Sequence, residues 1–384
     1  MKGPEKMYKC TAIFVLGFLI GGLVFGCTVP AGNGEAEPAA QEEPETVGEP
    51  AIEALAEPAP SRLTLTAVGD IMLARVVGSM IKNTSVHAPY DAVRHITTAA
   101  DITFGNLETT LAVAGERLPG KVIWFRADPE ATNGLKDAGF DVLSLANNHI
   151  LDYDTPALLE TIENLERVGI GYVGAGENLD QARRPLVVVK NGVRVGFLAY
   201  NEFYNYFWSY SYRRTFEATE DIAGTAPMKE ELIREDIEKL KDLCDVVVVS
   251  LHWGIEESNR VTGAQQNLAH KIIDWGGDII LGHHPHVLQG IELYKGGLIA
   301  YSLGNFVFDQ NDENNNQSII LDIIIEDGRI TGARAHPIYI YDKHQPRIPD
   351  DSKKQYITDK IIRLSEALGT TVQKEDERAV FGGI

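Results

Sequence analysis

Cysteine is scarce: the 384 residues hold three, Cys10, Cys27 and Cys244, which excludes a disulfide-stapled scaffold. Positive charge is also in short supply. Lys plus Arg total 35 against 55 Asp plus Glu, a formal charge of −20. A surface of that sign repels phosphate backbones, so no nucleic-acid partner is expected. No G-x-x-x-x-G-K-[ST] loop occurs, which argues against an ATP-driven synthase built on a P-loop. There is no internal repeat. The longest apolar run, Thr11 to Gly26, has 16 residues, short of the about 20 that a membrane-spanning helix needs. What is present is a globular composition. Hydrophobic residues make up 44%, enough for a sizeable core, which excludes a wholly disordered chain. The length fits two ordinary domains or one large α/β domain.

The first residues read as an address. Lys2, Lys6 and Lys9 precede the short apolar run, the pattern of a secretory signal. The run ends Leu23-Val24-Phe25-Gly26-Cys27, which resembles a bacterial lipobox with a bulky Phe25. The expectation is a signal over 1–26, lipidation at Cys27 and an exported protein held to the membrane by its lipid, outside the cytoplasm. A plain signal peptide or an uncleaved anchor is the alternative. Residues 27–60 follow as an acidic Ala/Pro/Glu tether. From Thr28 to Pro60 there is no Lys or Arg, and eight glutamates fall between Gly34 and Pro60. Such a segment buries too little to offset chain entropy, and its prolines and self-repulsion extend it. An acidic binding tail is the other reading. Cys244 is left as a buried small hydrophobe.

From residue 61 strands alternate with helices. Leu63 to Val68, Ile102 to Leu107, Val142 to Ala146, Val246 to Leu251 and Ile279 to Leu281 read as strands. Asp128-Pro129 and Thr155-Pro156 read as helix starts, and Asn191-Gly192 as a hairpin turn. After residue 287 strands dominate. The pattern predicts a layered α/β domain with mixed sheets over 61–345, then a C-terminal part over 346–384 with a helix from Tyr356 to Leu368 and a polar tail.

Metal-binding residue types collect where those strands end. Asp70 ends the first, Asn106-Leu107-Glu108 the second, Asn147-Asn148-His149 the third, His252 the fourth and His283-His284-Pro285-His286 the fifth. Ligands of open α/β sheets bind outside the carboxyl ends of the strands. Carboxylate, amide oxygen and imidazole suit one or two divalent ions such as Mn²⁺, Zn²⁺, Fe²⁺ or Mg²⁺. Two ions about 3.5–4 Å apart can activate water and clamp a phosphoryl group. Taken singly, each element has a plainer reading: Gly69-Asp70 as a turn, Asn147-Asn148 as a cap, His252 as a core histidine, Glu108 as a surface acid.

With Tyr301-Ser302-Leu303-Gly304-Asn305-Phe306 added, this ordered set, over about residues 62–342, resembles the CapA family of poly-γ-glutamate capsule biosynthesis proteins. The resemblance implies a four-layer αββα sandwich of the metallo-dependent phosphatase type. It implies Asp70, Glu108, Asn148, His252, His284 and His286 as metal ligands and His149 as the group that aids the leaving oxygen. It also implies capsule-synthase or export membrane proteins as partners and an anionic polymer or small molecule as substrate. Two departures stand out. The phosphatases carry Asp-x-His in the first block where this chain has Met72, and an aspartate where it has Glu108. Two functions from different classes follow: a metal-dependent hydrolase of an envelope polymer, or a non-catalytic accessory subunit of capsule assembly.

One stretch belongs to none of these motifs. Eight aromatic residues, Trp208 among them, fall between Phe203 and Phe216 together with Arg213 and Arg214. It fits neither strand nor helix period and reads as a loop. Trp208, Arg213 and Arg214 are candidates for binding substrate, by stacking and by pairing with carboxylate or phosphate. Loop packing and contact with a membrane interface are the alternatives.

Overall fold

The computed structural model describes residues 61–206, 209 and 211–383. The readings placed on 1–26, 27–60, Cys27 and Trp208 lie outside the described residues. No helix among the described residues is long and apolar enough to cross a membrane.

Two mixed sheets carry the fold. In the larger, the path runs from the C-terminal hairpin through Arg329–Tyr341, Gln317–Glu326, Arg62–Ile71, Ile102–Leu107 and Val142–Ser144 to Gly171–Val173. The smaller has six strands, with Val246–His252 in its interior between Val193–Asn201 and Ile279–His283, all parallel. The unbroken Val246-Val247-Val248-Val249 run marks a strand buried on both faces, as parallel strands are. Val246 and Val248 point into the layer between the sheets, with Leu63, Leu65, Phe104 and Phe197. Val247 and Val249 point outward onto Ile233, Ile237 and Ile272 of the helices Glu230–Leu240 and Gly263–Trp275. On the far face of the larger sheet, Val77, Leu135, Leu158 and Leu165 from three helices cover Val68, Ile71 and Leu143. Helix, sheet, sheet, helix is therefore the layer order, the four-layer αββα sandwich expected from the sequence. Phe104 of one sheet stacks on Phe197 of the other at 5.8 Å.

Local signals behave as their chemistry dictates, with two differences. Thr262 and Gln265 form a capping box at the start of Gly263–Trp275, and Gly276 ends that helix in the left-handed conformation at φ 110°. Asp128, expected as an N-cap, instead accepts from the Glu130 amide in a turn that precedes the helix Ala131–Asp137. The last helix runs Asp351–Glu366, earlier than expected, because the Asp350 side chain caps the Lys353 amide. The polar tail is structured too. Gln373–Glu375 pairs with Arg378–Gly382, and the latter pairs with Arg329–Tyr341, so residues beyond 345 complete the larger sheet.

One irregularity aims the first strand at the site. Ala67 pairs with Phe104 but Asp70 with Asn106, so three steps on one strand face two on the other. The extra residue is a bulge, a common device beside active sites. It falls between Ala67 and Asp70; within it, a Cβ on Gly69 would lie 1.8 Å from the Gly304 carbonyl oxygen, so any side chain there would push away the segment that leads into the strand Asn305–Val307.

Candidate metal centre

Both sheets deliver side chains to one edge. The larger supplies Asp70, Asn106, Glu108, Asn148 and His149; the smaller supplies His252, His283, His284 and His286. All are at most 9% exposed. His252 and His284 have ring centroids 4.8 Å apart, and His284 and His286 5.9 Å. One ligand atom each from Asp70, Glu108 and His252 lie within 4.8 Å of one another, and so do one each from Glu256, His284 and His286. The sequence-predicted ligands Asp70, Glu108, Asn148, His252, His284 and His286 are therefore brought together. Glu256 joins them unannounced.

Asp70 is the hub. It accepts from Asn106 Nδ2 at 2.8 Å and from the His284 amide at 3.3 Å. His283 Nδ1 and His286 Nδ1 each lie 3.2 Å from its oxygens. Burial alone would raise its pKa, but the hydrogen bonds and charges of His283 and His286 hold it well below the usual carboxylate range. Glu108 is its opposite. Burial, aided by the charges of Asp70 and Glu256 and opposed by His286, lifts its carboxyl well above that range. Burial works against His286 as well, yet Glu108 and Asp70 raise it to about 9. For His284 and His252 the charge of Asp70 alone opposes burial and is outweighed. Burial and neighbouring imidazoles push His284 down to about 3 and His252 well below its ordinary value.

The asparagine pair divides its work. Asn147 is a scaffold: its Oδ1 accepts from the His149 and Ile150 amides, and its Nδ2 donates to Asn106 Oδ1 and the Leu107 carbonyl. That leaves Asn148 to face the cluster, with Oδ1 3.0 Å from His252 Nε2. The turn after Ile279–His283 is strained. His284 at φ 94° and His286 at φ 58° flank Pro285 in a region that non-glycine residues seldom occupy, a cost typical of functional sites.

The donor set fits a divalent ion. Glu108 Oε1 and His284 Nδ1 are buried without a hydrogen-bond partner, an expensive arrangement unless something binds them. His286 Nε2 lies 3.8 Å from Glu108 Oε1, a separation that ligands about 2.0–2.2 Å from a shared ion would show. Met72 takes no part. It is fully buried in the apolar cluster beneath the helices, and its sulfur accepts from the Ala74 amide at 3.1 Å. Glu256 stands in the opposite wall. Its loop is pinned by Glu257 N–H donating to the Pro285 carbonyl at 2.9 Å and Gly254 N–H donating to Glu202 at 2.6 Å.

His149 is held from behind. Its Nδ1 lies 2.7 Å from Asp152 Oδ2, which makes Nδ1 the protonated nitrogen and turns Nε2 toward Glu108. Buried Lys121 pairs with Asp152 and lies 3.3 Å from the same Nδ1. Burial first, then the charge of Lys121, lowers the ring's pKa to about 4, against Asp152. Nε2 is left facing Glu108 at the edge of the cluster. Phe125 stacks on it at 4.0 Å.

The aromatic loop divides into a wall and a strap. Phe203 covers His284 at 4.1 Å and His252 at 6.0 Å. Arg214, a candidate substrate cation, is spent on structure: it pairs with Asp154 at 3.1 Å and donates to the Thr215 and Ala223 carbonyls. Tyr212 also donates to Asp154. Arg213 is exposed.

Comparison with known proteins gives a consistent set of matches. The model of the family described as bacterial capsule synthesis protein PGA_cap matches residues 64–310. The capsule biosynthesis protein CapA of Bacillus anthracis is 35% identical over 273 residues, spanning 69% of this chain and 64% of that one. The PGA biosynthesis protein CapA of Bacillus subtilis is 32% identical over 295 residues, 76% of each chain. A probable polyglutamine synthesis accessory protein of Mycobacterium tuberculosis is 31% identical over 231 residues, 58% of this chain and 59% of that one. Among solved structures, a 5'-nucleotidase of Candida albicans matches at 13% identity with a TM-score of 0.40, covering 80% of this chain and 58% of that one.

Proposed function

We propose, for a chain that belongs to the bacterial capsule synthesis protein PGA_cap family, that it serves poly-γ-glutamate or related capsule-polymer production as a divalent-metal hydrolase of an envelope polymer. The observation that carries this reading is the pair of adjoining donor groups, buried Asp70, Glu108 and His252, and buried His284 and His286 with the exposed Glu256. Bound there, one or two divalent ions would supply a polarised water and a clamp for the scissile group. The chain's own residues do the rest. Asn106 and the His284 amide fix the Asp70 carboxylate. Asn148 and His252 offer an amide oxygen and an imidazole side by side. His149, fixed by Asp152, holds an unprotonated Nε2 at the edge of the cluster, and Phe203 keeps water off the imidazoles behind it.

Glu256 completes the second donor group with His284 and His286, and this gives the test. Purified chain loaded with Mn²⁺ or Zn²⁺ is expected to hold two ions, counted by mass spectrometry of the metal. Glu256→Gln is expected to hold one. Equal content in both proteins removes Glu256 from the ligand set, and a wild-type chain that takes up no ion sinks the hydrolase reading.

A second reading, a non-catalytic accessory subunit of a capsule synthase or exporter, is favoured by Met72 and by the name of the mycobacterial relative. We also propose export and a lipid on Cys27, from the basic start, short apolar run and lipobox-like ending. One acyl chain anchors only marginally, so stable attachment needs more. Cys27→Ser should shift the protein from the membrane fraction to the soluble one; a mature protein with unmodified Cys27, by intact mass, counts against the anchor.

A further inference from the structure

A groove of about 570 Å³ opens beside the metal centre, between the helix Arg75–Asn83 and the segment 126–131. Its volume is that of a ligand site. Three cations line it, Arg75, Lys82 and Arg126, against two acids, Asp128 and Glu130, in a chain whose overall charge is −20. Asp128 is partly occupied, accepting from the Glu130 amide at 2.9 Å. Lys82 makes no ion pair with a described residue; Arg126 rests its guanidinium on the Tyr153 ring at 3.9 Å and donates from Nη1 to the Val113 and Gly115 carbonyls, which leaves its other nitrogens for a ligand.

Arg75 connects groove and centre. Its guanidinium lies 4.6 Å from the Phe125 ring centroid and 6.0 Å from that of Phe308. Those rings pack on His149 at 4.0 Å and on His286 at 4.9 Å. Asp309, 5% exposed, engages Nε and Nη2 of Arg75 and accepts from the Val76 amide. That pairing fixes the guanidinium, whose Nη1 is left for a second carboxylate; the Arg75 backbone sits at φ 51°, outside the ordinary range of an arginine.

We propose that this groove is a subsite for a polymer of repeated carboxylates, of the γ-linked glutamate kind, which Lys82 and Arg126 grip and Arg75 delivers to the metal centre. The occupant's chemistry rests on the functional reading above; the groove's selection of anions does not. Spaced single cations suit a flexible chain with one carboxylate per unit, since each pairing is modest and the sum is not.

The test uses a fluorescently labelled linear γ-linked glutamate decamer, with a polyphosphate of equal charge as competitor, on metal-loaded wild-type, Lys82→Glu and Arg126→Glu proteins. Each exposed charge reversal should weaken decamer binding about tenfold and flatten its salt dependence, while bound metal stays at the wild-type level. Wild-type affinity in both reversals overturns the groove and leaves the metal-centre reading intact. A wild-type chain that takes up no metal yet binds the decamer through Lys82 overturns that reading and leaves the groove standing. Tighter Lys82-dependent binding of polyphosphate than of decamer overturns the choice of a carboxylate polymer.

Discussion

Asp70→Asn should empty the centre of metal while leaving the sandwich folded. The carboxylate collects Asn106 Nδ2, the His284 amide and the nitrogens of His283 and His286 from both sheets. An asparagine keeps the shape but loses the charge, and turns an NH₂ toward groups that are already donors. Removing an outer partner of a metal ligand typically costs about 10–100-fold in affinity; removing the charged hub should cost at least about 100-fold. Competition with a fluorescent chelator measures it, with circular dichroism as the folding check. Wild-type affinity in a folded Asp70→Asn protein would show that the ion, if any, sits elsewhere.

His149→Ala should do the reverse, sparing the metal and removing the rate. The side chain is held by Asp152 rather than by the proposed ligands, with Lys121 behind, so deletion leaves Asp70, Glu108, His252 and His286 untouched. A positioned proton acceptor or donor typically contributes about 10²–10⁴-fold, and turnover of a cleaved polymer should fall by that order. The cell supplies the arbiter. If capsule production survives both His149→Ala and the metal-stripping Asp70→Asn, the accessory role is the one in use.

The parts of this site that could be read from the chain were those written at strand ends. A strand's last residue is fixed by period and punctuation, so Asp70, Glu108, His252 and the His283–His286 turn were locatable before any coordinates. Glu256 was not. It lies on a loop four residues past His252, beside a second acid, and exposed acids are common; the Glu257–Pro285 and Gly254–Glu202 hydrogen bonds, which hold that loop against the histidines, have no sequence signal. Lys121 was equally hidden, because a lysine in a loop carries no sign that it will be buried against Asp152. Met72 could be seen as a departure, but not that its sulfur would serve the Ala74 amide. The layered α/β fold with mixed sheets followed from the alternation of strands and helices; the αββα order followed from the family resemblance alone. The tail beyond residue 366 defeated periodicity, since a short edge hairpin of charged residues has the composition of a solvated end.

The strand Arg62–Ile71, first in the described fold, finds its partners far along the chain. It pairs with Ile102–Leu107 on one side, but on the other with Asn305–Val307 and Gln317–Glu326. Loop closure on that scale comes late, because its entropy must be met before the pairing rewards it. Asp70 therefore waits, with one flank unpaired, until residues beyond 300 have emerged and folded. The centre is thus tied to the far part of the sequence: a nascent chain that has not yet reached Asn305 lacks the residue that holds His286 at 2.9 Å, and with it the strand that flanks Asp70.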